Sequence, residues 1–113
     1  MKITIEAVGL ELSAIDRDGI TAKFRGVQKF VKRFEGEGET TVEVEVVRIT
    51  KHHKKGDVFE VVAGVRLPKK SIRVAEVADE VMTAVDRVKD VLREEIEKYK
   101  EKVVVLSKTQ NKK

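Results

Sequence analysis

Residues 58–99 read VFEVVAGVRLPKKSIRVAEVADEVMTAVDRVKDVLREEIEKY, and the spacing of their apolar side chains decides the fold. From Val58 to Leu67 the chain alternates, with Phe59, Val61, Ala63, Val65 and Leu67 on one side. Successive side chains of a strand point to opposite faces, so this stretch is a half-buried strand. Pro68, the only proline, ends it, because proline has no N–H to give to a sheet ladder. After a short turn through Lys69 and Lys70, Ser71 to Glu76 alternates again with Ile72 and Val74 inward. Then the period changes. Ala78, Val81, Val85, Val88, Leu92, Ile96 and Tyr99 step by three or four, which predicts a helix from about Val77 to about Lys102.

Working outward from that hairpin and helix, Thr41 to Thr50 is a further strand, with Val42, Val44 and Val46 against Glu43 and Glu45. The polar connection Lys51-His-His-Lys-Lys-Gly-Asp57 is long enough for a hairpin loop. Lys2 to Val8 alternates, with Ile3, Ile5 and Ala7 on one side and Thr4, Glu6 and Val8 on the other. Ser13 or Asp16 can cap a helix that follows, because a short side-chain oxygen accepts from free N–H groups at a helix start. Ile20, Phe24, Val27, Val31 and Phe34 line one face of that helix, and Gly19 and Gly26 each weaken it by up to ~1 kcal/mol relative to alanine. The acidic, glycine-rich Glu35 to Glu39 is a loop.

The order is therefore strand, helix, three strands, helix. The strand–helix–strand unit predicts parallel neighbours, and the three later strands predict an antiparallel meander. The expected fold class is α+β. It is a two-layer sandwich, β-α-β-β-β-α, with a four-stranded mixed sheet covered on one face by two helices. Residues 1–106 form a single domain, and 107–113 are expected to be a disordered basic tail.

Composition removes whole classes of function. The chain has no cysteine, so disulfides, thiolate metal sites and cysteine nucleophiles are excluded. No apolar run reaches the ~20 residues of a membrane span, and the N-terminus lacks the pattern of a signal peptide. The expected location is the cytoplasm. No nucleophile, metal set, phosphate-cradling glycine loop or poised carboxylate pair stands out, so the chain is not expected to be an enzyme, and no cofactor is expected. His52 and His53 are adjacent, and adjacent residues rarely hold one metal ion together, so no metal site is expected.

Charge is distributed unevenly. Charged residues are 39% of the chain and the net charge is only +4. Gly19 to Phe34 holds five basic residues and no acid, and Val61 to Ala75 holds four and no acid. Between them, Lys51, Lys54 and Lys55 flank the two histidines. The acids gather at Glu35 to Glu45 and along the last helix. Such segregation suits a polyanion; the alternative is that a lysine-rich protein simply solvates itself.

Several stretches in this order resemble the ribosome hibernation-promoting factor and ribosome-associated inhibitor family, in its short bacterial form, also described as a ribosomal subunit interface protein. MKITIEAVGLELS at the start is similar to the family's first strand and the beginning of its first helix. Ala22-Lys23-Phe24, Lys29-Phe30 and Arg33 look like that helix. Ile72 to Asp86 looks like the fourth strand and the start of the second helix, and Leu92, Ile96, Lys98, Tyr99 and Lys100 continue the match. The loop from Thr50 to Phe59 is similar to that of a bacterial subgroup. The chain departs from the family's pattern at Val91, Glu94 and Glu97, where basic residues are common. It departs also at Gly26, where a lysine is common, and at Met82, which replaces an aromatic residue.

The resemblance implies a factor that lies in the channel of the small ribosomal subunit where messenger and transfer RNAs bind. There it would contact ribosomal RNA and neighbouring ribosomal proteins and inhibit translation by idle ribosomes under stress. It implies a monomer off the ribosome, with no small-molecule substrate and no membrane partner. The RNA-binding candidates are Lys23, Arg25, Lys29, Lys32 and Arg33 on the first helix, and Lys51, His52, His53, Lys54 and Lys55 in the basic finger. Arg66, Lys69, Lys70 and Arg73 around the third turn, and Arg87, Lys89 and Arg93 on the last helix, complete the set. The last three can equally be intrahelical partners of Asp90, Glu94 and Glu97. Affinity of this kind should fall with salt, because each phosphate contact releases counterions. Two other readings stay open: a general double-stranded RNA-binding domain, and a protein–protein module using the open sheet face, where Val8, Val47, Val58 and Val62 leave room.

Overall fold

The computed structural model describes residues 2–27, 31, 40–49, 58–67 and 70–111, and of residues 102–111 the backbone only. Its elements are β1 (Lys2–Val8), α1 (Ala14–Arg25), β2 (Thr41–Ile49), β3 (Val58–Leu67), β4 (Lys70–Ala78) and α2 (Val81–Asn111). The sheet order is β1-β2-β3-β4. β1 runs parallel to β2, from Lys2 opposite Thr41 to Val8 opposite Val47. β2 and β3 are antiparallel, as are β3 and β4. The expected mixed sheet and its β-α-β-β-β-α order are what the structure has.

Local chemistry sets the element ends. Ser13 caps α1: its Oγ accepts from the Asp16 N–H at 3.0 Å, and its carbonyl accepts from the Arg17 N–H at 3.0 Å. At the other end the N–H groups of Gly26 and Val27 donate to the carbonyls of Lys23 and Phe24, three residues back. That tightened turn closes α1 at Arg25; further along the expected apolar face Val31 is again helical and fully buried, and Phe34 lies outside the described residues. Gly9, with φ of 79°, turns the chain out of β1 toward α1.

The helices lie on one face of the sheet and make the core with it. Ile20 and Phe24 of α1, and Ala84, Val85, Val88, Leu92 and Ile96 of α2, are fully buried. They meet Val42, Val44, Val46, Val61, Ala63 and Val65 of the sheet. Each full burial of such a Val, Leu, Ile or Phe side chain stabilises by roughly 1.5–3 kcal/mol. Leu10 and Leu12, in the connection to α1, pack against the rim of this cluster.

Two boundaries differ from the sequence expectation. Val77 and Ala78 belong to β4, not to the helix: Ala78 is buried at the strand position after Ile72, Val74 and Glu76, so the alternation runs one step further. The helix then begins at Val81, with the Glu80 carbonyl accepting from the Ala84 N–H. At its far end α2 runs to Asn111, past the expected stop near Lys102 and past Ser107. Val62 is a third correction. It lies on the open face, yet it is only 9% exposed, because it sits in a central strand between Glu45 and Ala75.

Candidate RNA interface

The sequence candidates divide sharply once placed. Lys29, Lys32, Arg33, Lys51, His52, His53, Lys54, Lys55 and Lys69 lie outside the described residues. The other eight fall into three situations.

Arg66, Lys70 and Arg73 are exposed and grouped at the β3–β4 turn. Ladder register puts Arg66 opposite Ser71, Leu67 opposite Lys70 and Gly64 opposite Arg73. Arg66 and Arg73 are thus diagonal neighbours on the open face, where they line a shallow depression of about 280 Å³ with Thr41, Glu43, Gly64 and Ser71. No described carboxylate pairs with either guanidinium. Two guanidiniums, each a planar fork of donors, over an open floor can accept phosphate oxygens without first breaking an internal bond.

Lys89 and Arg93 stand four residues apart on α2, hence on one flank. Arg93 is exposed, and its Nε lies 3.9 Å from Glu97 Oε1, so the intrahelical alternative is met there in part. An exposed pair of this type contributes only a few tenths of a kcal/mol, about 0.3–0.5. Arg87, two residues before Lys89, points to the other flank, and its Nη1 donates to the Val77 carbonyl at 2.9 Å.

On α1, Lys23 faces α2. Its Nζ donates to Asp86 Oδ1 at 2.5 Å, with both side chains partly exposed. Arg25, two residues on, is exposed on the opposite flank of α1. Lys23 and Arg87 therefore join elements within the fold, a role the sequence reading did not give them. No periodicity could have shown it, because both partners come from elsewhere in the chain. Arg17, not among the candidates, does the same for β1: its Nη1 donates to the Ile5 carbonyl at 3.3 Å.

Beside the arginines the open face changes sign. A larger depression of about 510 Å³ adjoins the first and is lined by Thr4, Glu6, Glu43, Val44, Glu45, Val62, Gly64 and Arg73. Among the described residues no group of acids and histidines is arranged to hold a metal ion.

The family model described as Sigma 54 modulation protein / S30EA ribosomal protein matches residues 3–104, nearly the whole chain. The chain belongs to this family. Membership associates it with the ribosome and places it among binding proteins rather than enzymes. It agrees with the hibernation-promoting factor resemblance carried by the opening strand and by Ile72 to Asp86. Among solved structures, the Protein Y N-terminal domain of Thermus thermophilus is similar at 22% identity and a TM-score of 0.70, covering 88% of this chain and 99% of that one. A ribosomal subunit interface protein from Coxiella burnetii is similar at 22% identity and a TM-score of 0.62, covering 89% and 99%. At that identity the two likenesses speak for the fold. No curated protein sequence matches. No helix among the described residues is long and apolar enough to cross a membrane.

Proposed function

We propose that this S30EA-family chain is a ribosome hibernation factor: it binds the small ribosomal subunit in the channel for messenger and transfer RNA, through ribosomal RNA, and inhibits translation by idle ribosomes. The observation that carries the reading is the family match over residues 3–104. The geometry supports it with a ready cationic group: Arg66, Lys70 and Arg73 at the hairpin end, exposed and free of described carboxylates. Arg25, Lys89 and Arg93 add exposed or half-exposed cations on the helical side, and the basic segments around Lys29 and Lys51 extend the same chemistry in the sequence. Recognition would be by RNA shape and backbone, since the chain has only four Phe and one Tyr, and the burial of Phe24 and Tyr99 leaves little for base stacking. The binding unit is residues 1–106, with 107–113 as an appended basic tail. The protein works in the cytoplasm, as a monomer off the ribosome, as part of a stress response.

The test is co-sedimentation of the purified protein with vacant small subunits across a salt series, with naked duplex RNA alongside. The expected result is near-stoichiometric, salt-sensitive binding to the subunit, weakened when Lys51, Lys54 and Lys55 become alanine. Absence of binding at low salt overturns the proposal. Equal affinity for naked duplex makes the chain a general double-stranded RNA binder instead.

A further inference from the structure

The open sheet face carries a second charged surface, opposite in sign to the first. Register sets Glu6 directly beside Glu45, and Glu43 beside Thr4 one row away. One row the other way, Glu60 lies opposite Val47. Among the described residues none of these four carboxylates has an ion-pair partner. Like charges placed directly opposite one another weaken a sheet, so Glu6 and Glu45 work against the fold that holds them. Val8 and Val77 stand at the two ends of the Glu60 row and are 49% and 45% exposed, among the most exposed large apolar side chains described.

We propose that the acidic part of the open sheet face docks an extended lysine- or arginine-rich segment of a partner protein. Successive rows of carboxylates are about 6.8 Å apart, the spacing of alternate residues in an extended chain. A segment with a basic residue at every second position therefore sets one cation on each row. Gly64 leaves the floor bare beside Glu43, so a backbone can come close; even an added Cβ there would only touch the Ile72 carbonyl at 3.8 Å. The exposed valines, at the two ends of the Glu60 row, give apolar cover on either side of its carboxylate. RNA is the wrong occupant here, since the carboxylates repel phosphate. A second copy of this chain fits poorly as well: a two-fold contact sets a patch against itself, and these acid rows would face each other. Glu43 shares its row with Gly64 and Arg73, so this surface borders the arginine pair, and the Glu6–Glu45 and Glu60 rows beyond it carry the docking, which does not rest on the ribosome reading.

The experiment measures binding of a fluorescent peptide of alternating lysine and threonine, about ten residues long to span the face, to the full chain at low salt. Two variants remove equal charge: Glu6→Gln with Glu43→Gln and Glu45→Gln on the sheet, and Glu94→Gln with Glu97→Gln and Glu101→Gln on α2. The sheet variant is expected to weaken peptide binding roughly tenfold or more, and the helix variant less than about twofold. The sheet variant should also melt no lower than the parent, because it relieves a like-charge pair; that separates a docking defect from a folding defect. Equal weakening by both variants means generic charge attraction and overturns the proposal, as does unchanged binding by the sheet variant. A dimer in sedimentation that the sheet variant abolishes gives the face to a second copy and overturns it too.

Discussion

At Gly9 the backbone has φ of 79°, a conformation in which an L side chain crowds its own carbonyl. A Cβ there would also lie 3.4 Å from Arg48 Cβ and from the Arg48 carbonyl, on the neighbouring β2. Gly9→Ala is expected to lower stability by about 1–2 kcal/mol, read as a lower urea midpoint at unchanged slope. Gly19 is a glycine of the other kind. It sits inside α1, and a Cβ there would meet only the terminal methyl of Met82, at 3.4 Å. That methyl ends a flexible side chain and can turn aside. Gly19→Ala should therefore raise stability by about 0.5–1 kcal/mol, the helix-propensity gain. A drop instead would mean that the close α1–α2 approach has no slack. The Lys23–Asp86 bond beside it joins the same two helices, but both side chains are partly exposed, so its contribution is small.

Among the elements, α2 is the one whose packing the sheet depends on most plainly. Leu92 is fully buried midway along the stripe, between Val88 and Ile96. Leu92→Ala removes that side chain and leaves a cavity, so it should cost about 2–5 kcal/mol in chemical denaturation. Glu95→Ala, which breaks only the exposed pair with Lys98, should cost less than about 1 kcal/mol. The stripe that places Leu92 was readable because helical spacing is local, and so was β3, whose ends match the sequence reading at both residues. The join between β4 and α2 was not. Ala78 satisfies both periods, as an alternate residue after Ile72 and Val74 and as a step before Val81, and only the Phe59–Ala78 pairing decides for the strand. Register itself is also beyond a one-dimensional pattern. Glu6 and Glu45 each read as an outward residue of a separate strand, and their meeting depends on how β1 slides along β2. The same holds for the site: Arg66 and Arg73 were visible as basic residues, whereas Lys23 is tied to Asp86, 63 residues away, and Arg87 to a carbonyl of the preceding strand, at Val77.

The whole molecule is a slab of 60 × 28 × 17 Å, a two-layer body lengthened by a helix that outruns the sheet. On such a body the remaining cations lie in separate places: Arg66 and Arg73 on the open sheet face, Lys89 and Arg93 on a flank of α2 on the covered side. Paired variants can therefore ask which side meets RNA, because substitutions this far apart act independently. Arg66→Ala with Arg73→Ala is expected to lower small-subunit affinity and to make the dependence of log affinity on log salt shallower by about two, roughly one for each phosphate no longer neutralised. Lys89→Ala with Arg93→Ala changes net charge equally, so a long-range field effect alone would give the same result for both pairs. The slope tells them apart, since only ions displaced where side chain meets phosphate enter it strongly. A change confined to the sheet pair orients the hairpin end toward ribosomal RNA, with the acidic rows of the same face directed just beyond the RNA edge. A change confined to the helix pair turns the molecule over, and leaves the whole open face, acids and arginines together, for protein.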